Sequence, residues 1–138
     1  MSKLFIDTSG WASLFIPTET YHQQAAKYFR QAQQTKQRLI TTNYVVTELV
    51  ALLGSRQKTS RPKLFQYIDS IKLALCIDLI HVNDETDAIA WELCKSRPDK
   101  AWSLVDCSSF VVMQQLEIQK ALTTDKHFEQ AGFIRLLK

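Results

Sequence analysis

Glycine is scarce in this chain. Gly10, Gly54 and Gly132 are the only three in 138 residues, and no Gly-x-Gly-x-x-Gly exists, so a glycine-rich dinucleotide turn is excluded. Cysteine is equally sparse. Cys76, Cys94 and Cys107 are odd in number, widely spaced and without a Cys-x-x-Cys pair, which argues against a disulfide framework or a zinc knuckle and for a reducing cytoplasm. No apolar run approaches the length of a membrane span, so no membrane association is expected. Met1-Ser2-Lys3 passes directly into Leu4-Phe5-Ile6-Asp7 without the apolar region and cleavage site of a signal peptide. Charge of one sign is not in great excess: a net +3 and a pI near 8.8 suit a polyanionic partner without demanding one. Repeats, low-complexity segments and linkers are also missing, and 46% hydrophobic content predicts one compact domain spanning 1–138.

What is present is an alternation of short apolar runs with amphipathic stretches. Leu4-Phe5-Ile6 reads as a buried strand ending at Asp7-Thr8-Ser9-Gly10, and Trp11 to Phe15 as a short helix stopped by Pro17. A longer helix capped by Thr18 or Thr20 runs to Gln34. Arg38-Leu39-Ile40-Thr41 is a second strand, followed by a helix that Thr42 or Asn43 caps and Gly54 ends. In that helix Glu48 lies at the border of the apolar stripe, close to Val45 and Leu52. Ser60 and Pro62 open another helix, Cys76 to Val82 has strand composition, and Asn83 or Asp84 caps a helix that Pro98 ends. Ser103 opens an apolar helix running to Gln115; Ala121 to Thr124 and Phe133 to Leu137 supply the last strands, around a helical turn closed by Gly132. Strands alternating with helices predict an α/β fold with a mostly parallel sheet and right-handed crossovers.

In such sheets the functional crevice lies beyond the carboxyl ends of the strands, where Asp7 and Asp125 both fall. Asp106 at a helix start and Glu48 at a core border can converge on the same edge. Four carboxylates without a histidine or thiolate form a hard-cation inventory suited to Mg²⁺ or Mn²⁺ and to phosphate chemistry. Each acid also has an ordinary role open to it. Asp7 sits in good turn chemistry, Glu48 can snorkel, Asp106 completes a Ser-x-x-Asp capping box with Ser103, and Asp125 can cap the next turn. Clustered carboxylates repel one another, so convergence is better explained by a divalent ion than by stability.

Other phosphate chemistries fit less well. An aspartyl phosphatase wants a second acid two positions after the first, where Asp7-Thr8-Ser9 has a hydroxyl, and a phospho-receiver wants an aspartate where Leu79-Ile80-His81-Val82 has none. His22, His81 and His127 lack metal-ligand spacing, and His127 is expected to pack or cap beside Asp125. Trp11, Trp91 and Trp102 read as core or interface residues, with Trp102 the one to test for base stacking. The basic segment with Arg56, Lys58, Arg61 and Lys63 reads as a solvated loop outside the site, although it could meet the phosphates of a polyanionic partner or an acidic protein segment.

Phe5-Ile6-Asp7-Thr8-Ser9, Thr47-Glu48-Leu49, Ser103-Leu104-Val105-Asp106-Cys107-Ser108-Ser109-Phe110 and Leu122-Thr123-Thr124-Asp125-Lys126-His127-Phe128, in that order, resemble the PIN-domain family, particularly its VapC-type toxin ribonucleases. The resemblance spans the whole chain and ends in Gln130-Ala131-Gly132-Phe133. It implies a three-layer α/β/α fold with about five strands and an Mg²⁺- or Mn²⁺-dependent endoribonuclease. It further implies RNA as substrate, a homodimer and, for the toxin branch, an antitoxin partner. By this resemblance Asp7, Glu48, Asp106 and Asp125 form the catalytic and metal-binding quartet, with Asp7 and Asp106 the principal ligands. Thr8 or Ser9 and Ser103 match the supporting hydroxyls. A housekeeping RNA-processing nuclease and a non-catalytic PIN-like binding module are the alternatives.

Overall fold

The computed structural model describes residues 2–138. Its elements follow the chain as β1 (Lys3–Ile6), α1 (Thr8–Phe15), α2 (His22–Gln34), β2 (Arg38–Thr42), α3 (Asn43–Ser55), α4 (Arg61–Leu73), β3 (Ile77–Ile80), α5 (Asp84–Ser96), α6 (Leu104–Gln115), β4 (Lys120–Leu122), α7 (Lys126–Gln130) and β5 (Ile134–Arg135). The strands form one parallel sheet in the order β3-β2-β1-β4-β5. This is the expected α/β/α architecture, and its strand order reverses between β1 and β4. Helices α1 to α4 pack among themselves, as do α5 to α7, and α3 meets α6.

The sheet is built from β1 outward. Phe5 and Ile6 are fully buried, as are Leu39 on β2 and Ala121 and Leu122 on β4, in keeping with a parallel sheet covered on both faces. Phe128 of α7 packs edge-on against Phe110 of α6, at 5.0 Å between ring centroids, and tilts over Phe5 of β1 at 6.4 Å. The Trp11 indole donates to Thr41 Oγ1, whose hydroxyl donates in turn to the Ile6 carbonyl, tying α1 to the ends of β2 and β1.

Several helix starts follow the expected caps. Thr42 accepts from Val45 N, Asn83 accepts from Thr86 N, and Ser103 with Asp106 forms a complete capping box. Elsewhere the structure departs from the sequence expectation. Helix α1 begins at Thr8, three residues earlier than expected, because Asp7 caps it by accepting from Gly10 N. Neither Thr18 nor Thr20 caps α2, which starts after Tyr21 with no side-chain cap; a turn closed by His22 N donating to Glu19 O precedes it. Gly54 does not end α3. The helix passes through it, and the left-handed residue beyond is Lys58, at φ 49°. The last strand is only two residues long, because Leu136 and Leu137 leave the ladder while their amides still donate to Ala121 O and Thr123 O.

Cys94 and Cys107 are far apart in sequence but meet between α5 and α6, with 3.0 Å between sulfurs. Both are free thiols, and burial with the Cys94 contact pushes Cys107 up to about 12, so it stays protonated.

The glycines divide by environment. A Cβ on Gly10 would lie 2.0 Å from the Leu122 carbonyl oxygen, so α1 reaches β4 only because that atom is missing. A Cβ on Gly54 would meet nothing closer than 3.8 Å. Gly10→Ala is therefore expected to destabilise by about 3 kcal/mol or more, through overpacking against backbone. Gly54→Ala should stabilise by about 0.5 kcal/mol through helix propensity. Urea unfolding of both variants reads the contrast, and equal effects would show that the α1–β4 approach is not tight.

Candidate active site

The register of the central strands sets the floor of the site. Phe5 pairs with Ala121 and Ile6 with Leu122, so the next step brings Asp7 beside Thr123 just beyond the carboxyl ends of β1 and β4. The Thr123 hydroxyl donates to Asp7 Oδ2 at 2.8 Å, and Ser9 Oγ and Gly10 N donate to Asp7 Oδ1 at 2.8 and 2.9 Å. Thr123 Oγ1 also accepts from Asp125 N, and Ser9 Oγ accepts from Thr124 N. One buried carboxylate thus fixes the start of α1 and the end of β4.

Asp106 belongs to the other side of the sheet. Ser103 Oγ accepts from Asp106 N, while Asp106 Oδ2 accepts from Ser103 N, each at 3.0 Å. The carboxylate therefore lies at the positive end of α6. Asp125 caps α7 by accepting from His127 N at 2.9 Å. The His127 ring completes the arrangement: its Nδ1 lies 3.0 Å from Asp106 Oδ2 and 3.4 Å from Asp125 Oδ1. With the proton on Nδ1, the ring donates between two acids that would otherwise repel.

Asp7, Glu48, Asp106 and Asp125 all line one cleft of about 390 Å³, together with Thr8, Ser9 and Arg56. They are not equally close within it. Asp106, Asp125 and His127 offer ligand atoms all within 4.8 Å of one another, whereas Asp7 lies deeper, is only 7% exposed and joins them through Thr123. Glu48 projects from α3, is half-buried and lines the same cleft. Ser103 stands behind Asp106 as its cap.

Sequence reasoning missed three participants. Thr123 links Asp7 to Asp125, and its signal was only its place at a strand end. His127 was expected to cap or pack beside Asp125; it also reaches Asp106, which its distance of two residues from Asp125 could not reveal. Arg56, assigned to a solvated loop, lines the cleft. Trp102, the candidate for base stacking, instead donates to Gln130 Oε1 and packs edge-on against Phe110, away from the acids.

The donor set fits a hard divalent ion on two further observations. Thr8 Oγ1 is buried at the cleft with no hydrogen-bond partner. Burial pushes the Asp7 carboxyl up to about 7 against three opposing hydrogen bonds, and nearby Asp125 adds to the rise, so the deepest acid lacks a counter-charge.

Carboxylates gathered at the switch point of a parallel α/β/α sheet define an acidic-cleft α/β protein. More particularly, the chain belongs to the PIN-domain family, whose profile matches residues 4–134. It is 29% identical over 133 residues to the 23S rRNA-specific endonuclease VapC20 of Mycobacterium tuberculosis, in strains H37Rv and CDC 1551, covering 96% of this chain and 97% of that protein. The crystal structure of VapC20, described as a sarcin–ricin loop cleaving toxin, superposes with a TM-score of 0.84 over 99% of this chain and 100% of that one, again at 29% identity. PAE2754 from Pyrobaculum aerophilum shares the fold at a TM-score of 0.66 and 12% identity, over 98% and 84% of the two chains.

The raised Asp7 value has a thermodynamic sign. Between the ordinary carboxyl value of 3.8 and about 7 the folded protein holds a proton that the unfolded chain releases. That stabilisation is full below pH 4 and is lost as pH rises to 7, up to about 4 kcal/mol in all. In metal-free buffer the Tm of the parent protein should therefore fall relative to that of Asp7→Asn between pH 5 and pH 8. A constant gap would mean that Asp7 is ionised throughout.

Proposed function

We propose that this chain is a divalent-metal-dependent endoribonuclease that hydrolyses RNA phosphodiester bonds, acts as one PIN-like domain and serves as the toxin of a type II toxin–antitoxin pair. The observation that carries the reading is the convergence of Asp7, Glu48, Asp106 and Asp125 on a single cleft at the strand-order reversal. Similarity over nearly the full length of a 23S rRNA-specific endonuclease supports it.

In this reading the four carboxylates hold Mg²⁺ or Mn²⁺, with the Thr8 hydroxyl facing the same space. When bound, the ion activates water for in-line attack and neutralises charge that builds on the scissile phosphodiester. The chain's own residues supply position. Thr123, Ser9 and Gly10 hold Asp7 in one orientation, and the Ser103 capping box holds Asp106, leaving its Oδ1 turned to other work. His127 bridges Asp106 and Asp125 and keeps the two carboxylates together before an ion arrives. The same reading carries a cytoplasmic RNA as substrate and an antitoxin as partner.

Purified protein is expected to cleave structured RNA with Mn²⁺ or Mg²⁺ and to lose the activity in EDTA. Asp7→Asn and Asp106→Asn should reduce cleavage at least a hundredfold, and equal cleavage by parent and variants would reject the assignment. Calorimetry separates cap from ligand at Asp106: the variant should lose Mn²⁺ binding while giving up only about 1 kcal/mol of stability. A homodimer is expected at micromolar concentration, with exposed Phe65, Leu73, Leu75 and Trp91 offering apolar surface; a monomeric mass by light scattering would contradict it.

A further inference from the structure

A cleft walled by four acids repels the polyanion it is meant to cut. Arg56 is the one cation among the described residues that line it. Its side chain is exposed, and no salt bridge engages it among the described residues, so its charge is not spent on the protein. Arg56 also lines a second cleft, of about 310 Å³, which shares Ser9 and Leu52 with the first. The wall of that second cleft includes Thr20, Tyr21, Gln57 and Thr124, with the half-buried Glu19 carboxylate engaged by the Gln57 amide. The two hollows therefore meet along a ridge whose charged member is Arg56.

We propose that Arg56 clamps the phosphate next to the scissile one and that the adjoining cleft receives the nucleotide beyond it. The inference rests on the nuclease reading above and extends it to the path of the strand. A guanidinium presents a planar fork that matches phosphate oxygens in pairs, and here it would offset the acids without entering their cluster. At about 310 Å³ the second cleft lies at the small end of the ~300–1,000 Å³ range typical of small-ligand sites, a size for one nucleotide. Its lining is suited to a base and ribose: the Tyr21 side chain is half-buried, and the Gln57 amide is held by donating to Glu19 Oε1 at 3.0 Å.

The test is fluorescence anisotropy with a labelled 12-nucleotide single-stranded RNA, in EDTA so that no cleavage intervenes. Arg56→Gln should weaken single-strand binding about tenfold and lower the slope of log Kd against log salt by about 0.7, the value for one phosphate on a single strand. Arg56→Lys should keep the slope and recover only part of the affinity. Lys27→Gln, which removes the same charge from a position lining neither cleft, should alter neither by a comparable amount. An unchanged slope in Arg56→Gln, equal effects from Lys27→Gln, or no RNA binding by the parent protein would each overturn the proposal. In Mn²⁺, Arg56→Gln should raise KM and largely spare kcat. Asp7-dependent cleavage with an unchanged KM would remove the clamp and leave the nuclease standing, whereas Arg56-dependent binding without cleavage would do the reverse.

Discussion

The buried carboxylate of Asp7 is the constraint on which the site depends. Its two oxygens take hydrogen bonds from the end of β4 and from the first turn of α1, so the central strand, its successor helix and its neighbouring strand are located by one group. Gly10 makes the arrangement possible by letting the helix backbone approach the Leu122 carbonyl. Burial makes ionisation expensive, and three donors only partly offset that cost. A carboxylate left in this condition stores a demand for positive charge, directed at the cleft above it.

Asp106 and Asp125 show a different solution to the same problem. Asp106 is the box partner of the Ser103 cap in the first turn of α6 and Asp125 caps α7, so each carboxylate sits at the positive end of a helix, oriented by a backbone amide and by the His127 ring between them. A capping carboxylate commits one oxygen to the helix and turns the other outward. Cap and ligand are therefore not competing descriptions of Asp106. The cap fixes the direction in which the remaining lone pairs point, and the His127 ring spans the gap to Asp125.

Local chemistry was legible in the sequence, and tertiary approach was not. The Ser103–Asp106 box, the Asn83 and Thr42 caps and the parallel strand pattern follow from residue types at fixed offsets, and the structure contains them. Gly54 illustrates the limit: glycine favours a helix end, but α3 continues through it because the flanking Leu53 is buried and Leu64 of α4 lies alongside. Tyr21 precedes α2 without a side-chain cap because the turn at Glu19 sets the entry of the chain. Thr123, His127 and Arg56 were invisible for a shared reason. Their roles depend on which strand lies beside β1 and on how α3 leans over the cleft, neither of which has a periodicity.

The cleft therefore has two parts under different control. Its floor is fixed by strand ends: moving Asp7 or Asp125 would require shifting the β1–β4 register, which would expose Ile6 and Leu122 as well. Its wall is made by Ala51, Leu52, Ser55 and Arg56 on the outer turns of α3, where Ala51, Ser55 and Arg56 are exposed and carry no comparable packing constraint. Asp7 and Asp125 thus stand where packing holds them, while the exposed side chains of α3 beyond Glu48 carry no such constraint. For that reason, under the nuclease reading proposed above, those side chains and the α1–α2 connection, more than Asp7 and Asp125, are where an RNA preference would be set.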